Sequence, residues 1–359
     1  MTEKHDIEEN ALQDGSEEVS RAAAEEGIAA EAPKVPSAEP SVADQPKGPM
    51  RERAQAAYAN TKAKAVEKKD AAKGFVYEKT PERLKHPSDF QVRFRTGAIY
   101  VGLTVICALA SDITTVIMLC AVAGICAGEF FYMLRSDAKL PNELLGILAA
   151  VAYPISVWQL GLTGALLVTG ALLIALLVWY VFWSRARVGD VGVSFFGAAY
   201  TGLLMSSLIL VRMGVPGIWG GVLVVGIFCS VWANDSFAYL VGSKFGKHKM
   251  APRISPKKSW EGFFGGLVGS VLIWSVISFI PGVNMGIHHA IVFGIVCGLF
   301  GVLGDLAESR IKRNSGVKDS GTIMPGHGGL LDRCDSMFLV AAVSGVLLVY
   351  GGCIPYVFA

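Results

Sequence analysis

The sequence is poor in charge. Only 17% of its 359 residues are Asp, Glu, Lys or Arg, against 52% apolar side chains and a mean hydropathy of +0.47. Soluble globular domains carry roughly a quarter charged residues, so the deficit excludes an ordinary soluble globule and sets the apolar excess against lipid. A bulk basic excess is also missing: the formal net charge is +2, which excludes a nucleic-acid binder recognised by overall charge. No two of the seven cysteines form a Cys-x-x-Cys pair, so they specify neither a zinc site nor a disulfide framework and read as small buried hydrophobes. Met1 to Asn10 are acidic and have no apolar core, unlike a cleavable signal peptide.

The charges that are present are segregated. Residues 1–46 carry 3 basic and 12 acidic side chains, residues 47–95 carry 13 and 6, and residues 96–359 carry 16 and 12, giving nets of −9, +7 and +4. The first segment is rich in Glu, Ala, Pro and Ser and reads as a disordered acidic tail, because it cannot bury enough surface to offset chain entropy. The second is a basic juxtamembrane segment, suited either to an anionic leaflet or to a solvated linker. The third is the membrane body.

A spanning helix needs about 20 apolar residues. Residues 144–184, 191–211, 213–234, 262–304 and 336–359 contain no Asp, Glu, Lys or Arg. The first and fourth runs are each long enough for two spans, with turn residues near 159–164 and 281–289. Adding 96–111 and 113–134 around Asp112, the latter interrupted by Glu129, predicts an all-α polytopic protein of about nine transmembrane helices. With the basic neck inside, the inner loops 135–143, 184–190, 235–261 and 305–335 hold 2, 2, 6 and 5 Lys plus Arg, and the outer loops hold only Arg212. That alternation predicts an N-in, C-out topology.

Two inner stretches, 232–262 and 304–335, concentrate groups that handle phosphate and metal. In the first, Asp235 at the mouth of a span is costly to desolvate without a cation, and the alternative role is a helix cap. Lys257, Lys258 and Ser259 follow Pro256 just before a helix start, where ammonium groups and main-chain N–H groups would converge on a phosphate; the alternative role is contact with lipid head groups. In the second, Asp305, Glu308, Ser309 and Lys312 share one helical face if the preceding helix continues. Asp332 and Asp335 are likewise three apart at the start of the last span. Gathered carboxylates repel one another unless they hold a hard cation such as Mg²⁺. His327, flanked by Gly326, Gly328 and Gly329, suits either a structural role or a phosphate contact or proton donor. The residues alone thus point to a membrane-embedded, metal-dependent site for phosphorylated substrates.

The spaced pattern Ser309-x-Ile-Lys312-Arg313-x4-Lys318-Asp319-x-Gly321-x4-Gly326-His327-Gly328-Gly329-Leu-x-Asp332-Arg333-x-Asp335 resembles the signature of the phosphatidate cytidylyltransferases, or CDP-diacylglycerol synthases. Segments 232–239 and 255–262 are similar to that family too, so the strong resemblance covers about 232–335. Cys334 and Met324 depart from the branched aliphatic residues expected there.

The resemblance implies transfer of CMP from CTP to phosphatidic acid, releasing pyrophosphate. It implies Asp305, Asp332 and Asp335 as metal ligands, with Asp235 and Asp319 beside them. Lys257, Lys258, Ser259, Ser309, Lys312, Arg313, Lys318 and Arg333 would bind the phosphates of CTP and lipid, and Asp235, Lys318, Asp319 and His327 would serve the chemistry. Mg²⁺ is the implied cofactor, with room for a monovalent cation; CTP, phosphatidic acid and membrane lipids are the implied partners, with no nucleic acid, and a homodimer is an allowed assembly. The implied location is the inner membrane of a bacterium with the site facing the cytoplasm. Two alternatives are a CTP-dependent polyprenol kinase, or a cytidylyltransferase for another lipid phosphate, and a cation-coupled transporter.

Overall fold

In the computed structural model of the chain, residues 89–135, 141–324 and 328–356 are described. The acidic tail, most of the basic neck, and Gly326 and His327 lie outside the described residues. Helix α1 is Asp89–Ala110 and α2 is Asp112–Leu134. Between them Ser111 caps α2: its hydroxyl accepts the Thr114 N–H at 3.1 Å, and the Thr114 hydroxyl accepts the Ser111 N–H at 3.0 Å. This reciprocal pair satisfies two amides that a helix start leaves open.

Helix α3, Glu143–Phe182, has 40 residues, about 60 Å if straight and twice what a bilayer core needs. It is a hairpin. Gly161 adopts φ 59 and ψ −140, a conformation that residues with a side chain rarely adopt. The Tyr153 and Thr169 hydroxyls meet at 3.0 Å, whereas sixteen residues of straight helix would separate them by about 24 Å. The turn expected near 159–164 is therefore present, and it reverses the chain.

Helix α4, Val188–Gly214, contains a π-helical turn at Ala199–Leu203. Helix α5 is Ile218–Phe245, α6 is Trp260–Ile277, α7 is Ile287–Asn314 and α8 is Leu331–Tyr350. Seven of these helices, α2 to α8, are long and apolar enough to cross a membrane. Small residues let them approach closely without the help of a hydrophobic drive: Gly265, Gly266 and Gly269 of α6 lie against α5, and Gly294 of α7 lies against α6. Phe130 of α2, Phe196 and Tyr200 of α4 and Phe338 of α8 form a linked aromatic cluster, with Tyr200 and Phe338 centroids 4.8 Å apart.

Two departures from the sequence reading concern the 235–261 segment. Helix α5 continues to Phe245, so Asp235 sits within a helix rather than at a loop mouth. The rest is not helical: β1, Lys249–Ala251, pairs antiparallel with β2, Ser255–Ser259. Pro252 and Pro256 account for this, since each lacks an N–H and disfavours a helical residue before it.

The chain ends of the helices sort into two groups. At one end the Leu162 N–H donates to the Tyr356 hydroxyl at 3.0 Å, Asn284 N–H donates to the Cys353 carbonyl at 2.8 Å, and Arg212 pairs with Asp112 at 2.8 Å. Arg212, expected in an outer loop, is buried in α4 and also donates to the Ala108 and Gly217 carbonyls. This end joins the α3 turn, the α6–α7 connection and the α8 C-terminus. The opposite end carries the N-terminus of α8, the C-terminal turns of α5 and α7, and the β hairpin.

Candidate active site

Helix α7 runs past its apolar part to Asn314, which puts Asp305, Glu308, Ser309 and Lys312 on one face as the spacing predicts. The Ser309 hydroxyl donates to Asp305 at 3.2 Å, and Lys312 reaches Glu308 one turn back. Close approach of α8 depends on Gly304, where a Cβ would lie 2.6 Å from the Asp335 carbonyl. The two acidic helices therefore meet face to face.

Asp332, in the first turn of α8, accepts Lys312 Nζ at 2.7 Å, the Ser320 N–H at 3.0 Å and the Gly329 N–H at 2.9 Å. Its side chain is 6% exposed. Gly328, with φ 89, brings its backbone against this carboxylate, a conformation and an approach that a side chain would oppose. Asp335, one turn on, interacts electrostatically with Asp305, Glu308 and Asp235, and accepts its neighbour Ser336 N–H at 2.6 Å. Asp235 on α5 faces the charges of Asp305, Lys258 and Arg333. Lys258 pairs with Asp305 at 2.7 Å. Ser259 caps α6 by accepting the Gly262 N–H at 3.2 Å.

The structure thus brings together Asp235, Lys258, Asp305, Ser309, Lys312, Asp332, Arg333 and Asp335 from four elements. Lys257 is exposed on β2. Arg313 donates to the Val317 carbonyl at 3.3 Å. Lys318 and Asp319 line a cleft of about 800 Å³, together with Tyr132 and Arg135 at the end of α2, Thr322, and Ser320 and Gly328, which also adjoin Asp332. His327 lies outside the described residues.

The donor set suits a divalent cation. Asp235, Asp305, Glu308, Asp332 and Asp335 face Lys258, Lys312 and Arg333, five carboxylates against three cations, a formal excess of two negative charges. All five supply hard oxygen, the ligand type Mg²⁺ selects. Among the described residues no three acidic, His or Cys side chains converge as a preformed metal group. Lys258 and Lys312 take up carboxylate oxygens in that space instead.

Sequence reasoning passed over two buried polar groups. Glu129 of α2 is 6% exposed and accepts the Leu331 N–H at 2.8 Å and the Ser320 hydroxyl at 3.3 Å. Asn234, beside Asp235, is 1% exposed, and its amide has no hydrogen-bond partner among the described residues. The usable signal for Glu129 was its position, since a carboxylate inside an apolar run has to be compensated.

The sequence profile of the Cytidylyltransferase family matches residues 91–350, which takes in all of the described helices except the first two residues of α1. The phosphatidate cytidylyltransferase of Staphylococcus epidermidis is 48% identical over 122 residues, covering 34% of this chain and 47% of that protein. Those of Staphylococcus haemolyticus and Staphylococcus aureus are 48% and 47% identical over the same coverage. The matched part thus spans about half the length of these curated relatives. With the profile extending over most of its length and the acidic helices meeting where the signature residues fall, the chain belongs to the cytidylyltransferase family.

Proposed function

We propose that this chain transfers CMP from CTP to phosphatidic acid, forming CDP-diacylglycerol and pyrophosphate. A phosphate oxygen of the lipid attacks the α-phosphorus of CTP, and the bond from that phosphorus to the bridging oxygen of pyrophosphate breaks. The observation that carries this reading is the meeting of Asp305 and Lys312 on α7 with Asp332 and Asp335 on α8, at one end of an apolar bundle. The relatives named phosphatidate cytidylyltransferase support the same substrates.

Phosphoryl and nucleotidyl transfer require mainly positioning and charge neutralisation. Asp305, Asp332 and Asp335, with Asp235 beside them, would hold Mg²⁺. Bound there, the ion supplies charge neutralisation at the phosphate oxygens. Lys258 and Lys312, now held by carboxylates, are the ammonium groups placed to turn to phosphate oxygens. Arg313, Lys318 and Arg333 supply further positive charge on the same end, with Lys257 and Ser259 at the β hairpin. Asp319 and His327 are proposed to orient the attacking and leaving groups.

The two arms of α3 count as separate spans in this reading, giving nine with α1. The site end faces the cytoplasm of a bacterial inner membrane, where CTP is available. Lipid enters laterally between the apolar helices. Labelled CTP supplied with phosphatidic acid vesicles tests the reaction. Magnesium-dependent appearance of a cytidine-labelled lipid is expected, and release of CDP with a phosphorylated lipid instead would overturn it in favour of a kinase.

A further inference from the structure

We infer that Glu129 is a positioning residue that clasps the signature segment onto α8. The inference rests on the reading that Asp332 and Asp335 serve the transfer reaction. Glu129 lies on α2, close to two hundred positions from the segment it holds, and one of its carboxylate oxygens receives both the Leu331 N–H and the Ser320 hydroxyl. The Leu331 N–H opens α8, where an acceptor of negative charge satisfies an unpaired amide and complements the helix dipole.

Glu129 and Asp332 grip the same two stretches of chain. Ser320 gives its hydroxyl to Glu129 and its N–H to Asp332. Gly329 gives its N–H to Asp332 while Leu331, two residues on, gives its N–H to Glu129. The two carboxylates together tie Ser320, within the loop that separates α7 from α8, to Gly329 and Leu331 where that loop meets α8. Two glycines make room for this: a Cβ on Gly321 or on Gly329 would stand 2.5 Å from a Glu129 carboxylate oxygen. The signature glycines at 321 and 329 therefore serve Glu129 and need no ligand to explain them.

A buried carboxylate costs several kcal/mol unless it is hydrogen-bonded, and among the described residues the second oxygen of Glu129 has no partner. The residue thus has a desolvation cost that two hydrogen bonds offset, and those bonds act on the loop and on the first turn of α8. Without them Asp332 and Asp335 keep their helix but lose a fixed register to Ser320 and to α7.

The full-length protein, purified as wild type, Glu129→Ala and Glu129→Gln, tests this by two readouts. One is hydrogen exchange in peptides covering 320–331, which needs no substrate. The other is steady-state turnover with CTP and phosphatidic acid. In Glu129→Ala, exchange at the Leu331 amide rises and kcat falls about 100-fold, from two lost hydrogen bonds at roughly tenfold each, with KM for CTP within about threefold. Glu129→Gln keeps a carbonyl acceptor and restores most of both signals. Unchanged exchange in Glu129→Ala overturns the clasp, raised exchange with unchanged kcat overturns the positioning role, and failure of Glu129→Gln to rescue shows that acceptor geometry is not what Glu129 provides. If Glu129→Ala does not purify, Ser320→Ala removes one arm only: about tenfold lower kcat is expected, and no change overturns the inference. A wild-type protein that makes no cytidine lipid would condemn the proposed function while the exchange readout still measures the clasp.

Discussion

Asp332 and Asp305 look alike in the sequence, since both are acidic residues at the ends of apolar runs, yet their surroundings differ. Asp332 is 6% exposed and holds a lysine and two amides, whereas Asp305 is 32% exposed and holds Lys258 and a serine hydroxyl. Asp332→Asn should therefore lower both activity and stability. Removing one partner of a largely buried pair costs roughly 3 kcal/mol, to be read as an earlier thermal transition in detergent. Asp305→Asn should reduce turnover at least about 100-fold while shifting stability by less than about 1 kcal/mol, because solvent screens its pair. Equal thermal transitions for the two variants would contradict this division. Cys334, which with Met324 departs from the residues expected from the resemblance, is 1% exposed, and its thiol lies 3.7 Å from the Tyr100 hydroxyl. Cys334→Val should leave kcat within about twofold and stability within about 1.5 kcal/mol, measured in the same assays. The signature acids were legible because carboxylates are rare in so apolar a chain. The unequal burial of Asp332 and Asp305 was not, because it depends on α7 and α8 approaching at Gly304.

At the scale of elements, most of the helices were written in the apolar runs, and the break in α3 was written in the glycines near its middle. The β hairpin was not, since Lys249–Ser259 is too short and too charged to show alternation, and its prolines state only what it cannot be. The π turn at Ala199–Leu203 was also silent; no residue type specifies it. Gly161 makes the sharpest prediction here. Its φ of 59 and ψ of −140 belong to a region that side chains enter at a cost of about 1–3 kcal/mol. Gly161→Ala should lower the thermal transition by that amount while leaving KM for CTP unchanged, because the turn sits at the end of the bundle away from the acids. Gly170→Ala, in the second arm with open space around its Cα, is the matched control and should be neutral or slightly stabilising. A Gly161→Ala protein as stable as the control would show that the turn tolerates a side chain.

At the scale of the whole molecule, the loop charges and the helix contacts converge from independent directions. Basic residues crowd into every second loop of the nine-span reading, the bias that sets orientation on membrane insertion, whereas the grouping of helix ends follows from contacts such as Leu162 with Tyr356 and Asn284 with Cys353. Both assign the α3 turn to the end opposite the site. The arms 143–160 and 162–182 have lengths of about 27 and 31 Å, close to the thickness of the hydrocarbon core, so each can cross once. In a variant whose native cysteines are replaced, a cysteine at Leu162 should react with a membrane-impermeant thiol reagent from the outside of intact cells, and one at Ser184 only after the membrane is opened. A cysteine at Gly282, in the α6–α7 connection, should behave like the one at Leu162. If Leu162 and Ser184 labelled from the same side, α3 would dip into one leaflet and return. The span count would then fall by two, leaving the two chain ends on opposite sides but placing the Leu162–Tyr356 contact at the wrong depth for a fully crossing α8.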